Sequence, residues 1–117
     1  MEGQTLDTFT GEWSLAVTDC QKYLDGGYAD PYVPVAKPST CAYYNSDFST
    51  FPSEYLVFLN EYALAQMDGY EIGKGWFFWT AKTENVCAPE WDYIFLLQAG
   101  IMPANLCERN TYCEYAK

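Results

Sequence analysis

Apolar positions recur most regularly between residues 52 and 71. There Leu56, Leu59, Ala63, Met67 and Tyr70 fall at helical spacing and gather on one face, predicting a helix. Pro52 suits its first turn, Glu54 suits the positive end of its dipole, and Gly73 and Gly75 stop it. Upstream, Leu6, Thr8, Phe9, Thr10 and Trp13 favour extended backbone and predict a strand over 6–13. Residues 14–25 suit a short helix, with Ser14 as N-cap and Gly26-Gly27 as its stop. Residues 26–50 carry Gly, Pro, Ser, Asn and Tyr without a period. Pro31, Pro34 and Pro38 break any regular element, so this is a long ordered loop of the kind that usually serves function. Residues 75–81 are almost continuously apolar, the pattern of a strand buried on both faces in a parallel sheet. Residues 89–99 predict a second, shorter helix begun by Pro89-Glu90.

The resulting order is strand, short helix, long loop, helix, strand, helix. That is an α/β arrangement of βαβα type, and on its own it leaves two sheet edges open. The last 18 residues contain Cys107 and Cys113 and read as a tail pinned by a disulfide. No internal repeat or low-complexity segment interrupts this order.

Composition narrows the chemistry. The 117 residues suffice for one small domain with a core, and with half of them hydrophobic and 19% aromatic they are not a disordered chain. Eleven Tyr and four Trp exceed the needs of a small core. They offer flat apolar faces with polar tips, which suit carbohydrate. A net charge of −10 with six basic residues argues against nucleic acid and anionic membranes as partners. The absence of His removes Ser-His-Asp and Cys-His machinery and most catalytic zinc sites, so acid–base work falls to Asp and Glu. No metal or cofactor is expected. Five Cys, at 20, 41, 87, 107 and 113, form no Cys-x-x-Cys pair. In so acidic and Tyr-rich a chain they point to an extracellular protein with disulfides, the odd count leaving one thiol over. Met1-Glu2-Gly3-Gln4 does not have the form of a signal peptide, and the back end of a longer protein is the economical reading.

The candidate chemistry starts at Glu12, in Thr8-Phe9-Thr10-Gly11-Glu12-Trp13-Ser14. A carboxylate closing a strand is where an α/β barrel puts a catalytic acid. The second strand ends in an aromatic, Trp79, within Gly75-Trp76-Phe77-Phe78-Trp79-Thr80, and a carboxylate beside an aromatic platform suggests sugar chemistry. Of the strand tryptophans, Trp76 reads as core and Trp79 as the stacking residue. Tyr28, Tyr43 and Tyr44 in the long loop either line a groove or cover the core. Glu84 and Glu90 follow the second strand and read as solvated loop carboxylates that could lie near the same mouth. Asp19 reads as a helix cap or as the acceptor of a neighbouring amide rather than as a catalytic group.

Four blocks carry a resemblance: Gly11-Glu12-Trp13-Ser14-Leu15-Ala16-Val17-Thr18-Asp19-Cys20, Ala65-Gln66-Met67-Asp68-Gly69-Tyr70-Glu71, Gly75-Trp76-Phe77-Phe78-Trp79-Thr80-Ala81-Lys82-Thr83-Glu84 and Ala88-Pro89-Glu90-Trp91-Asp92-Tyr93. Over roughly residues 6–106 the chain resembles the C-terminal third of a secreted exo-β-1,3-glucanase of the family-five glycoside hydrolases, of fungal or oomycete type. The resemblance implies a partial TIM (β/α)8 barrel: its last two strand–helix units, with a long loop after the first strand and a tail behind. It implies that Glu12 stands at the nucleophile position and Trp79 at the aromatic floor under the reacting sugar. Trp13, Tyr28, Tyr44 and Glu84 would border the substrate, a β-glucan, in the cell wall or outside the cell. Retaining hydrolysis needs two carboxyls about 5–5.5 Å apart, one attacking the anomeric carbon and one protonating the leaving oxygen. In the family the proton donor lies in an Asn-Glu-Pro motif that this sequence lacks; Asn60-Glu61-Tyr62 is similar only on the surface and falls mid-helix. The expectation is a glycosidase segment with little activity by itself. The alternative is a non-catalytic β-glucan-binding or interaction protein built from part of a barrel.

Overall fold

The computed structural model describes residues 6–18, 48–86 and 88–109. Strand β1 (Thr10–Trp13) pairs in parallel with β2 (Trp76–Phe78), and helix α1 (Ser53–Glu71) lies between them in sequence. A short helix, α2 (Tyr93–Gln98), follows β2 after 3₁₀ turns at Glu84–Val86 and Pro89–Trp91; a third such turn, Phe48–Thr50, precedes α1.

Helix α1 starts and stops for identifiable reasons. Pro52 takes the extended cap position, φ −63 and ψ 151, and offers no side-chain cap, while Glu54 in the first turn meets the positive end of the helix dipole. After the last turn the chain doubles back against the entry to β1. Lys74 N–H donates to the Thr8 carbonyl at 2.8 Å, and a Cβ at Gly73 would stand 2.6 Å from that same carbonyl oxygen. Only glycine allows so close an approach. Gly75 follows at φ +126, and its carbonyl accepts the Thr10 amide at 3.0 Å.

The apolar stripe of α1 supplies the core. Leu59, Ala63 and Met67 are fully buried, joined by Trp13, Leu15, Phe51, Leu96, Ile101 and Met102, with Leu56 and Tyr70 packed against them. Each large aliphatic side chain so enclosed stabilises the fold by about 1.5–3 kcal/mol before entropy is counted. Polar contacts then fasten neighbouring segments to the helix. Gln66 donates to the Ser14 carbonyl at 3.2 Å and Asn60 to the Ile101 carbonyl at 2.7 Å.

Several expectations change: the second helix, expected over 89–99, is confined to Tyr93–Gln98, and the second strand, expected over 75–81, to Trp76–Phe78. The first strand begins at Thr10 rather than at residue 6. Residues 14–18 are not helical: the Leu15 side chain enters the core and its amide donates to the Glu90 carbonyl at 3.1 Å. The remainder of the helix expected over 14–25, and most of the loop over 26–50, lie outside the described residues. Strand β2 is covered on one face only: Phe77 is 64% exposed. Finally, the thiol of Cys107 is exposed and free, and the other four cysteines lie outside the described residues. Among the described residues, Arg109 ties the segment that ends at residue 109 to α1. Its guanidinium donates to Asp68 at 3.2 Å, to Glu71 at 2.6 Å and to the Leu106 carbonyl at 2.7 Å. Asp68 is fully buried on α1, so this charge pairing meets an electrostatic need of the core.

Candidate functional site

The site begins with one extra residue. Thr10 is level with Trp76 and Trp13 with Phe78, so three steps along β1 match two along β2. This is a β-bulge, and it changes which side chains face inwards. In a regular strand Thr10 and Glu12 share a face and Trp13 takes the other. With the bulge, Trp13 turns to the helix side. It is 6% exposed, and Tyr70, Trp76 and Phe78 surround its indole edge-on at 5.6, 5.2 and 5.0 Å. Gly11 and Glu12 are left exposed on the opposite side. Trp13 is therefore a core residue with no free ring face for a sugar, correcting its expected place at the substrate. Its indole Nε1 is buried without a hydrogen-bond partner among the described residues.

Beside Glu12 the open face is aromatic. Phe77 and Trp79 alternate with the inward Trp76 and Phe78, and Trp79 is 56% exposed. The Trp79 amide donates to the Trp13 carbonyl at 2.8 Å, which fixes the end of β2 to the end of β1; the Trp79–Thr80 peptide is cis. Glu12 and Trp79 thus stand at the carboxyl ends of adjacent parallel strands, on the face that α1 does not cover.

A single turn secures both strand ends. The carbonyl of Glu90 accepts the Leu15 amide at 3.1 Å, and the carbonyl of Trp91 accepts the Thr80 amide at 2.7 Å. Tyr93 and Ile94, at the start of α2, return amides to Thr80 and Ala81 at 3.0 and 3.1 Å.

Two carboxyls within this turn are buried, and they titrate in opposite senses. Glu90 is 4% exposed and accepts a hydrogen bond from the Tyr55 hydroxyl. Burial pushes its pKa up to about 7, although the tyrosine bond pulls the other way. The solvated-carboxylate reading of Glu90 is overturned, since the side chain points back towards α1. For Asp92 burial alone would raise the pKa. Amides of Thr83 and Phe95, the Thr83 hydroxyl and the charge of Lys82 outweigh it and hold the group below its ordinary value. The Asp92 carboxylate also caps α2 through the Phe95 amide at 2.8 Å. Glu84 is exposed on its 3₁₀ turn. Tyr28, Tyr43, Tyr44 and Asp19 lie outside the described residues.

The sequence reading missed Tyr55 and Asp92. The cap was detectable, because Asp92 directly precedes the apolar run Tyr93-Ile94-Phe95-Leu96-Leu97, the place where an N-cap residue is expected. The Tyr55–Glu90 pair joins positions 35 residues apart and left no local trace. Among the described residues, grooves form elsewhere as well. One of about 610 Å3 runs along Leu6, Thr8, Tyr70 and Gly73, and one of about 320 Å3 lies between Asn60, Pro103 and Arg109. Neither contains Glu12 or Trp79. Among the described residues no cluster of His, Cys, Asp or Glu is arranged to hold a metal ion, and no helix is long and apolar enough to cross a membrane.

Comparison with known proteins bears on this geometry. The chain is 41% identical over 113 residues to a protein named probable glucan 1,3-beta-glucosidase D from Aspergillus fumigatus, covering 83% of this chain and 13% of that protein. It is 41% identical over 117 residues to the glucan 1,3-beta-glucosidase of Candida oleophila, covering 90% and 26%. The enzyme of the same name from Lachancea kluyveri is 38% identical over 110 residues, covering 87% and 25%. No family model matches the chain. The resemblance read from the sequence is therefore shown: over most of its length the chain is a homologue of proteins named as fungal glucan 1,3-beta-glucosidases. It spans between 13% and 26% of the length of these three relatives.

Proposed function

We propose that this chain is a segment of a retaining β-1,3-glucan hydrolase, contributing the nucleophile Glu12 and the sugar platform Trp79 to a (β/α)8 barrel. The observation that carries this reading is the placement of both residues at the carboxyl ends of neighbouring parallel strands, on the uncovered face. In a barrel that face is the inner one, and α1 packs on the outer one. The open edges of β1 and β2 are where further strands of the barrel pair.

In this reading the Glu12 carboxylate attacks the anomeric carbon of the terminal glucose, whose apolar face rests on the Trp79 ring. A glycosyl–enzyme ester forms, and a second carboxyl protonates the departing oxygen and then activates the water that releases glucose. Among the described residues that follow β2, Glu84 faces solvent and Glu90 faces Tyr55. Because the family's Asn-Glu-Pro motif is missing from this sequence, this reading takes the proton donor from another part of the barrel, and the 117 residues alone bind β-glucan without turning it over. The setting for such an enzyme is the cell wall or the extracellular medium.

The test is glucose release from laminarin by the purified chain. The expected result is none. Turnover that disappears in Glu12→Gln would overturn the need for a proton donor from elsewhere. A binding role without catalysis is favoured by the same exposed Trp79 and differs in one respect: it requires no other strand beside β1.

A further inference from the structure

The face that bears Glu12 and Trp79 is only as well defined as the relative position of two short strands. Each strand end is tied to the Ala88–Asp92 turn by one amide: Leu15 to the Glu90 carbonyl and Thr80 to the Trp91 carbonyl. The turn is anchored in its own right by the Glu90 side chain, which is buried and receives the Tyr55 hydroxyl from the first turn of α1. A bond from helix to turn and two bonds from turn to strands form a continuous connection.

We propose that Glu90 is a positioning residue for the open face: its carboxyl, held by Tyr55, locks the turn that sets the ends of β1 and β2, and so the spacing of Glu12 and Trp79. This rests on the reading that Glu12 and Trp79 together meet the sugar. Glu90 touches no substrate and acts through the backbone.

The environment of the carboxyl makes the lock sensitive to its proton. Tyr55 is the titratable group facing it from α1. The segment after β1, Ser14 to Val17, contributes no ionisable side chain, nor do Thr80 and Ala81 beyond β2. On the turn itself Asp92 is committed to Thr83 and Phe95, and Lys82 acts on Asp92. Among the described residues no cation is in place to compensate Glu90 when it ionises, consistent with a pKa of about 7 set by burial. In the protonated form the turn holds. The ionised form calls for water, and the turn loosens.

The experiment follows the backbone amides of Leu15 and Thr80 by NMR in the full chain between about pH 5 and pH 9, while binding of laminaritriose is measured over the same range. In the unaltered protein both amides should shift together with a midpoint near pH 7, and affinity should fall severalfold across it. Glu90→Gln keeps the shape and an acceptor for Tyr55, so both responses should become flat. Tyr55→Phe removes a bond that lowers the pKa, so the midpoint should move up. Amides that do not titrate, or that titrate unchanged in Glu90→Gln, would overturn the proposal. Amides that titrate as expected in a chain that binds no oligosaccharide at any pH would uphold the lock and sink the sugar-binding reading instead.

Discussion

The two faces of the small sheet are built from the same two short runs, residues 10–13 and 76–79, yet have opposite characters. On the helix side Trp13, Trp76 and Phe78 pack edge-on under Tyr70, and Trp13 is nearly inaccessible. On the other side Glu12, Phe77 and Trp79 stand in solvent. Neighbours in sequence are thus assigned to stability or to contact by a single inserted residue in β1. The lesson concerns aromatic residues in particular. A tryptophan next to a candidate catalytic acid is not thereby a binding residue, since Trp13 and Trp79 are chemically the same and differ only in the side of the sheet they reach.

Substituting the two tryptophans is the strongest way to break this comparison. Trp13→Ala should destabilise the chain by about 3–5 kcal/mol, the range for emptying a buried aromatic site. Trp79→Ala should leave urea unfolding within about 0.5 kcal/mol of the original, as expected at an exposed position. Equal losses from both would show that the faces are not distinct.

The pH dependence of stability sharpens the contrast between buried and exposed acids. The Glu90 pKa rises from 4.5 to about 7 on folding, so the folded state retains a proton that the unfolded chain has lost. Stability from this group is complete below about pH 4.5 and is lost as pH rises to 7, a change of roughly 3 kcal/mol. Asp92 has the opposite sign. Its stabilisation is complete above its ordinary value of 3.8 and fades as pH falls below it. Thermal melts should accordingly peak near pH 4, and Glu90→Gln should flatten the loss at higher pH. An undiminished fall in Tm between pH 5 and 7 in that variant would point to another group.

A smaller effect is expected at the tail. Arg109→Ala removes a charge-assisted partner of buried Asp68 and should cost about 1.5–3 kcal/mol, measured by urea unfolding. The smallest belongs to Gly11. A Cβ there meets nothing within 4 Å, so Gly11→Ala should shift stability by no more than about 0.5 kcal/mol. A large loss would mean that the bulge depends on glycine rather than on residue count.

These elements also show what the sequence could reveal. Helix α1 was legible because Leu59, Ala63 and Met67 repeat at a spacing that only a helix turns to one side. The parallel pairing of β1 and β2 was legible from the apolar run and the intervening helix. The exposed Phe77 was not, because an apolar run does not say whether both faces are covered by this chain. Nor was the inward Trp13, since a bulge adds a residue without altering the pattern of residue types. Glu90 and Arg109 were hidden for a further reason: their partners Tyr55, Asp68 and Glu71 come from α1, far away in sequence. For the site, the resemblance implied Glu12 and Trp79, while the geometry supplied the reason that Trp13 differs from them.

The most direct test of the contrast between the two faces is a titration of the isotopically labelled chain with laminaritriose, following backbone and indole N–H signals together. The account predicts shifts at the Trp79 indole and at the Gly11 and Glu12 amides, with the Trp13 indole unmoved. Shifts centred on Trp13 or on the groove beside Leu6 and Tyr70, or a saturable response that leaves Trp79 unchanged, would contradict it.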